Sequence, residues 1–139
     1  PLVYLAAVTP ALTAIDAAER RLPDRLVLPG YAVAAAALLI QGLVDAAVPW
    51  LALASGTAYF TLLFAFSAAG GMGFGDVKLA GVLGLAAGLL GPTASLASPL
   101  LAFVLGGVAA LASLRTARGE GIPFGPSMLA GFWIAVLLS

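Results

Sequence analysis

The sequence predicts an all-α integral membrane protein, a bundle of about six transmembrane helices in one domain covering residues 1–139. Three observations predict it. First, 63% of the residues are hydrophobic and only 9% charged, where an ordinary soluble domain has about a quarter charged, and the mean hydropathy is +1.14. Second, the apolar residues fall into runs close to the ~20 residues that a helix needs to cross a bilayer, and the length holds roughly six such spans with short connections. Third, the few charges and the Pro and Gly clusters stand between those runs. Backbone polar groups in hydrocarbon must be satisfied within their own segment, so runs of this kind are helices.

The same composition narrows the chemistry. With no cysteine and no histidine, disulfides, thiolate metal sites and Ser-His-Asp or Cys-His arrangements are all excluded. No cofactor or metal is implied, and a net charge of zero offers no basic surface to nucleic acid. The lipid bilayer is the first partner, the oligomeric state stays open, and any catalysis rests on carboxylates, hydroxyls or lysine.

Six segments are expected, at about 2–18, 27–44, 50–69, 77–91, 94–114 and 124–139. The first opens without a charged leader or a small-residue cleavage site and so is a span, not a signal peptide; a truncated start fits it equally. It carries Thr9, Pro10 and Thr13, where the proline removes a helix hydrogen bond that hydroxyls or neighbouring helices can offset. Leu22-Pro23-Asp24 then makes a turn, and Pro29-Gly30 a second irregularity. The third segment follows Asp45 and Pro49 and opens at Trp50. The fourth holds Gly81, Gly84, Gly88 and Gly91, a small-residue face for close helix packing. In the fifth, Gly106-Gly107 and many alanines favour tight packing over lipid contact. The hydrophilic stretch 115–121 precedes Ile122-Pro123-Phe124-Gly125-Pro126, where the chain re-enters the membrane.

The six basic residues set the orientation. Arg20, Arg21 and Arg25 lie in the first connection, Lys78 at the third, Arg115 and Arg118 in the fifth. By the positive-inside rule the odd connections are cytoplasmic and both chain ends are outside. Asp16 and Asp76 then share one membrane face, and Asp45 is on the other.

The stretch Gly70-Gly71-Met72-Gly73-Phe74-Gly75-Asp76-Val77-Lys78-Leu79 sets an acid and a base in a glycine-rich run that lets another chain approach. An ionisable residue at the edge of a membrane segment is a functional candidate, and its partner here is Asp16. Two carboxylates brought together share one proton, so that one takes a proton from water while the other hydrogen-bonds a substrate carbonyl, the arrangement of amide hydrolysis by aspartic proteases. Simpler roles stand beside these. Asp16 can mark the water boundary of its segment, Asp76 can cap the fourth helix, and Asp24 reads as a cap or turn residue. Lys78 reads as an interfacial anchor that can also tune Asp76, while Thr9 and Thr13 read as backbone or interhelix hydrogen-bond partners. The same acids would also serve a small proton- or cation-coupled transporter.

These residues carry a family resemblance. Gly73-Phe74-Gly75-Asp76-Val77-Lys78-Leu79 resembles the Gly-x-Gly-Asp-x-Lys signature of the type IV prepilin peptidases, intramembrane aspartic proteases. Asp16, followed after six residues by Pro23-Asp24 and then by Leu26 and Pro29, is similar to that family's first catalytic aspartate and its Ile-Pro-Asn/Asp element. Ile122-Pro123-Phe124-Gly125-Pro126 resembles the stretch that opens the family's last helix. The resemblance implies Asp16 and Asp76 as the catalytic pair, with Gly73, Gly75, Lys78 and Pro23 in substrate binding or loop shaping. It implies prepilin or pseudopilin substrates, cut at the cytoplasmic face of the inner membrane before an apolar helix, typically after glycine. No Cys-x-x-Cys domain of the larger members is present, so the chain resembles the short, peptidase-only form or one with its front removed. Product N-methylation is left open.

Overall fold

The computed structural model describes residues 2–19, 24–69, 74–114 and 124–139. Among these the chain forms six helices: α1 (Leu2–Glu19), α2 (Asp24–Asp45), α3 (Trp50–Ala68), α4 (Phe74–Leu90), α5 (Pro92–Leu114) and α6 (Gly125–Leu138). No described residue is in a strand. The all-α membrane class is therefore the observed one. Arg25–Asp45, Trp50–Ala68 and Pro92–Ala112 are each long and apolar enough to cross a membrane, and Val3–Ile15 and Gly125–Leu138 are shorter apolar helices.

Two helices begin earlier than their charges suggest. α2 starts at Asp24 and runs through Pro29, because a proline this close to the helix start forfeits a single intrahelical hydrogen bond. α4 starts at Phe74, which sets Asp76 within the first turn. A carboxylate there is favoured by the positive end of the helix dipole, so the acid does not mark a boundary. The α4–α5 connection is Gly91 alone, with φ +126°, a conformation that suits glycine, and Pro92 then opens α5.

α4 is the centre of the bundle and packs against α2, α3, α5 and α6. Nearly every residue from Val77 to Gly88 is buried. Its small residues permit this. A Cβ on Gly84 would stand 2.7 Å from the Cα of Gly56 and the carbonyl oxygen of Ser55, and one on Gly88 would collide with Ala52. The α3–α4 seam is thus backbone against backbone. α5 and α6 meet similarly at Gly131, where a Cβ would lie 2.6 Å from the amide nitrogen of Ala102. α1 packs on α6 and α2. Its Thr9 acts as expected, donating to the Leu5 carbonyl at 2.5 Å and accepting from the Trp133 indole at 2.9 Å.

Leu5, Leu12, Leu63, Leu79, Leu83, Met128, Leu129 and Phe132 fill the core, and a second set of large apolar side chains points outward. Leu39, Ile40, Leu43 and Val44 on α2, with Leu96, Leu100, Val104, Val108 and Leu111 on α5, are all exposed. In water such stripes would be a liability; in lipid they are ordinary solvent contact. α5 thus corrects one expectation. Its Gly106 packs under Phe124, but Gly107 meets nothing within 4 Å, so only one face of that helix is tightly packed and the other is lipid-facing.

Candidate active site

Asp76 is half-buried in the first turn of α4. It is the third residue of the helix and not its cap. Two residues on, Lys78 is also half-buried, with its Nζ 5.2 Å from the centroid of the Phe74 ring one turn back. The lysine therefore folds over the start of its own helix as a cation–π contact. Gly75 is the second residue of α4 and half-buried, so its backbone is helical and not part of a loop.

What surrounds these residues is aromatic. Tyr31 of α2 donates its hydroxyl to the Lys78 carbonyl at 2.6 Å, and its ring covers Gly81, where a Cβ would collide with the hydroxyl. Tyr4 of α1 donates to the Leu26 carbonyl at 2.5 Å and lies beside Gly30 together with Val82. Tyr59 of α3 is 2% exposed, and its hydroxyl has no hydrogen-bond partner among the described residues. The chain has three tyrosines, and all three gather around the first turns of α2 and α4. Phe64 packs edge-on against Phe74 with centroids 6.3 Å apart, and Phe66, Phe103 and Phe124 form a second chain of rings.

A groove of about 300 Å³ opens between α2, α3 and α4, lined by Tyr31, Gly56, Thr57, Phe60, Gly81 and Leu85. It begins about 7.5 Å along α4 from Asp76, five residues at ~1.5 Å each.

The other sequence candidates sit as follows. Asp16 lies in the last turn of α1, and its side chain is outside the described ones. α1 and α4 are not extensively packed on each other; they share α2 and α6 as neighbours. Tyr4, ~18 Å along the helix from Asp16, is the α1 residue tied to the starts of α2 and α4. Pro23 and Gly73 lie outside the described residues, as do Arg20, Arg21, Arg115 and Arg118. Asp45 ends α2 and is exposed, at the opposite end from Asp76. Sequence reasoning passed over Tyr31 and Tyr59. The available signal was a phenol inside an apolar span, since such a hydroxyl normally seeks a partner.

A bundle whose helices Arg25–Asp45, Trp50–Ala68 and Pro92–Ala112 are long and apolar enough to cross a bilayer, with an acid in the first turn of α4 and a small-residue groove further along it, is that of a membrane protein. The chain belongs to the type IV leader peptidase family, whose profile matches residues 3–111. It is 36% identical over 135 residues to the prepilin leader peptidase/N-methyltransferase of Stutzerimonas stutzeri, covering 91% of this chain and 45% of that one. The protein of the same name from Pseudomonas aeruginosa is 36% identical over 136 residues, with 91% and 45% covered. That from Bacillus subtilis is 32% identical over 116 residues, with 84% and 46% covered. The chain spans about half the length of the relatives it matches. No solved structure matches.

Proposed function

We propose that this chain is a membrane-embedded aspartic endopeptidase, a single transmembrane peptidase domain, that removes the leader of type IV prepilins or prepilin-like proteins at the cytoplasmic face of the inner membrane. The observation that carries the proposal is the family match over residues 3–111, which includes both Asp16 and Asp76. The charge distribution supports the membrane face, since the basic residues fall in the odd connections or near the starts of the helices that follow them, Arg25 in α2 and Lys78 in α4. There an acid pair reaches the peptide bond at which a leader in water meets an apolar helix, and the groove beside Tyr31 and Gly81 suits the apolar side of that junction.

The helix ends divide the labour. Asp76, in the first turn of α4, sits where a dipole favours negative charge, and Asp16, in the last turn of α1, sits where one opposes it. With one proton between them, Asp16 keeps it and Asp76 is the base. Asp76 takes a proton from water as the hydroxide adds to the scissile carbonyl carbon. Asp16 gives its proton to the carbonyl oxygen, forming a gem-diol. Collapse of that intermediate breaks the C–N bond, returns a diol proton to Asp16 and passes the proton on Asp76 to the leaving amine. The approach of the α1 end bearing Asp16 to the start of α4 is what the proposal adds to the contacts of α1 described above.

The test is cleavage of a prepilin by the purified chain and by Asp16→Asn and Asp76→Asn variants. The expected result is leader release by the parent and a loss of about a thousandfold or more in each variant, in proportion to what removal of one member of a catalytic unit costs. Undiminished cleavage by either variant removes that aspartate from the pair.

A further inference from the structure

α3 carries one buried polar group that its packing does not explain. Tyr59 is on the face of α3 that meets α4, with Ala52, Gly56 and Leu63, at the tightest seam in the bundle. Its ring fills that seam, and its hydroxyl is buried without a partner among the described residues. An unmet hydroxyl in an apolar interior is costly, and in a membrane no bulk water is at hand to relieve it. Phenylalanine would fill the same space without that cost.

The surroundings limit what the hydroxyl can serve. α3, α5 and α6 hold no acidic or basic residue. On α2 the nearby titratable side chain is Tyr31, whose hydroxyl is engaged by the Lys78 carbonyl. On α4 there are Asp76 and Lys78, and the lysine head lies over Phe74. α3 runs antiparallel to α4, with Gly56 against Gly84 and Phe64 against Phe74. That register sets Tyr59 about one turn deeper than Asp76, the one acidic residue that α4 carries.

We propose that Tyr59 is a positioning residue for Asp76, its unpaired hydroxyl being the donor that holds the carboxylate in one orientation when substrate is bound. This rests on the catalytic role of Asp76 given above. A phenol donating to a carboxylate favours the charged form, which is the form required of the residue that takes the proton from water. A carboxylate has acceptor sites enough for several donors, and one anchored in the α3–α4 seam adds a fixed direction to those it already meets.

The experiment compares Tyr59→Phe with the parent chain in prepilin cleavage and in thermal unfolding in detergent. The expected result is a kcat lower by ~10- to 100-fold, the kinetic equivalent of one hydrogen bond to a charged group, with KM unchanged and the unfolding midpoint equal or higher. A purely structural tyrosine gives the reverse pattern, a lower midpoint or failure to fold, and either overturns the proposal. Full kcat in Tyr59→Phe overturns it as well while leaving the aspartate pair intact. An Asp76→Asn chain that still cleaves removes both the pair and the role built on it.

Discussion

Tyr31 joins α2 to the first turns of α4 through a single hydroxyl, and the value of that bond can be separated from the ring that carries it. The Lys78 carbonyl that it meets also faces along α4 toward the next turn, so loss of the phenol does not orphan an acceptor. Tyr31→Phe should therefore cost about 0.5–1.5 kcal/mol, the net worth of one hydrogen bond, seen as a modest drop in unfolding midpoint with the helix content retained. An unchanged midpoint would show that the bond contributes nothing to holding α2 on α4. At this scale the sequence was only partly legible. Asp76 and Asp16 stand out because a carboxylate in an apolar chain is conspicuous. Tyr31 and Tyr59 do not, because an aromatic in an apolar run reads as filling, and only the register between helices reveals whose hydroxyl meets which backbone.

Among the elements, the seam between α3 and α4 decides the architecture. Gly84 and Gly88 stand where any Cβ would strike Gly56 or Ala52, so a side chain there must push two backbones apart. Gly88→Leu should destabilise the protein by about 1–3 kcal/mol or more, the cost of overpacking. Gly107→Leu, at a position with nothing within 4 Å, should be neutral or stabilising, since leucine is the better helix former. Thermal unfolding of the two variants side by side checks this, and equal midpoints would contradict the seam. The glycine spacing made the close packing of α4 legible in the sequence. It misled at α5, because small residues permit a close approach without dictating that a neighbour takes it up, and the leucine and valine stripe between them faces outward instead. The helix boundaries followed the charges to within about three residues, failing at α2 and α4 where an acid sits inside the first turn.

As a whole the molecule joins helices through small residues at their closest approaches, packs Leu, Val, Met and Phe side chains between them, and leaves further large apolar side chains on the outside, as expected where lipid replaces water. Composition and hydropathy were enough for the class and the order of six helices, since the bilayer imposes length and closure on each span. They were not enough for the arrangement of helices around α4, which depends on side-chain shape and leaves no period in a uniformly apolar sequence. The central claim at this scale is that the end of α1 and the start of α4 meet as one site. Because the chain has no cysteine, the pair Asp16→Cys with Asp76→Cys can report on that meeting without background. In membranes, in a variant that inserts and unfolds like the parent, mild oxidation should join the two thiols within one chain, which requires Cα atoms within about 7 Å. If no such bond forms, with or without a prepilin present, the two acids do not share a site and the account fails.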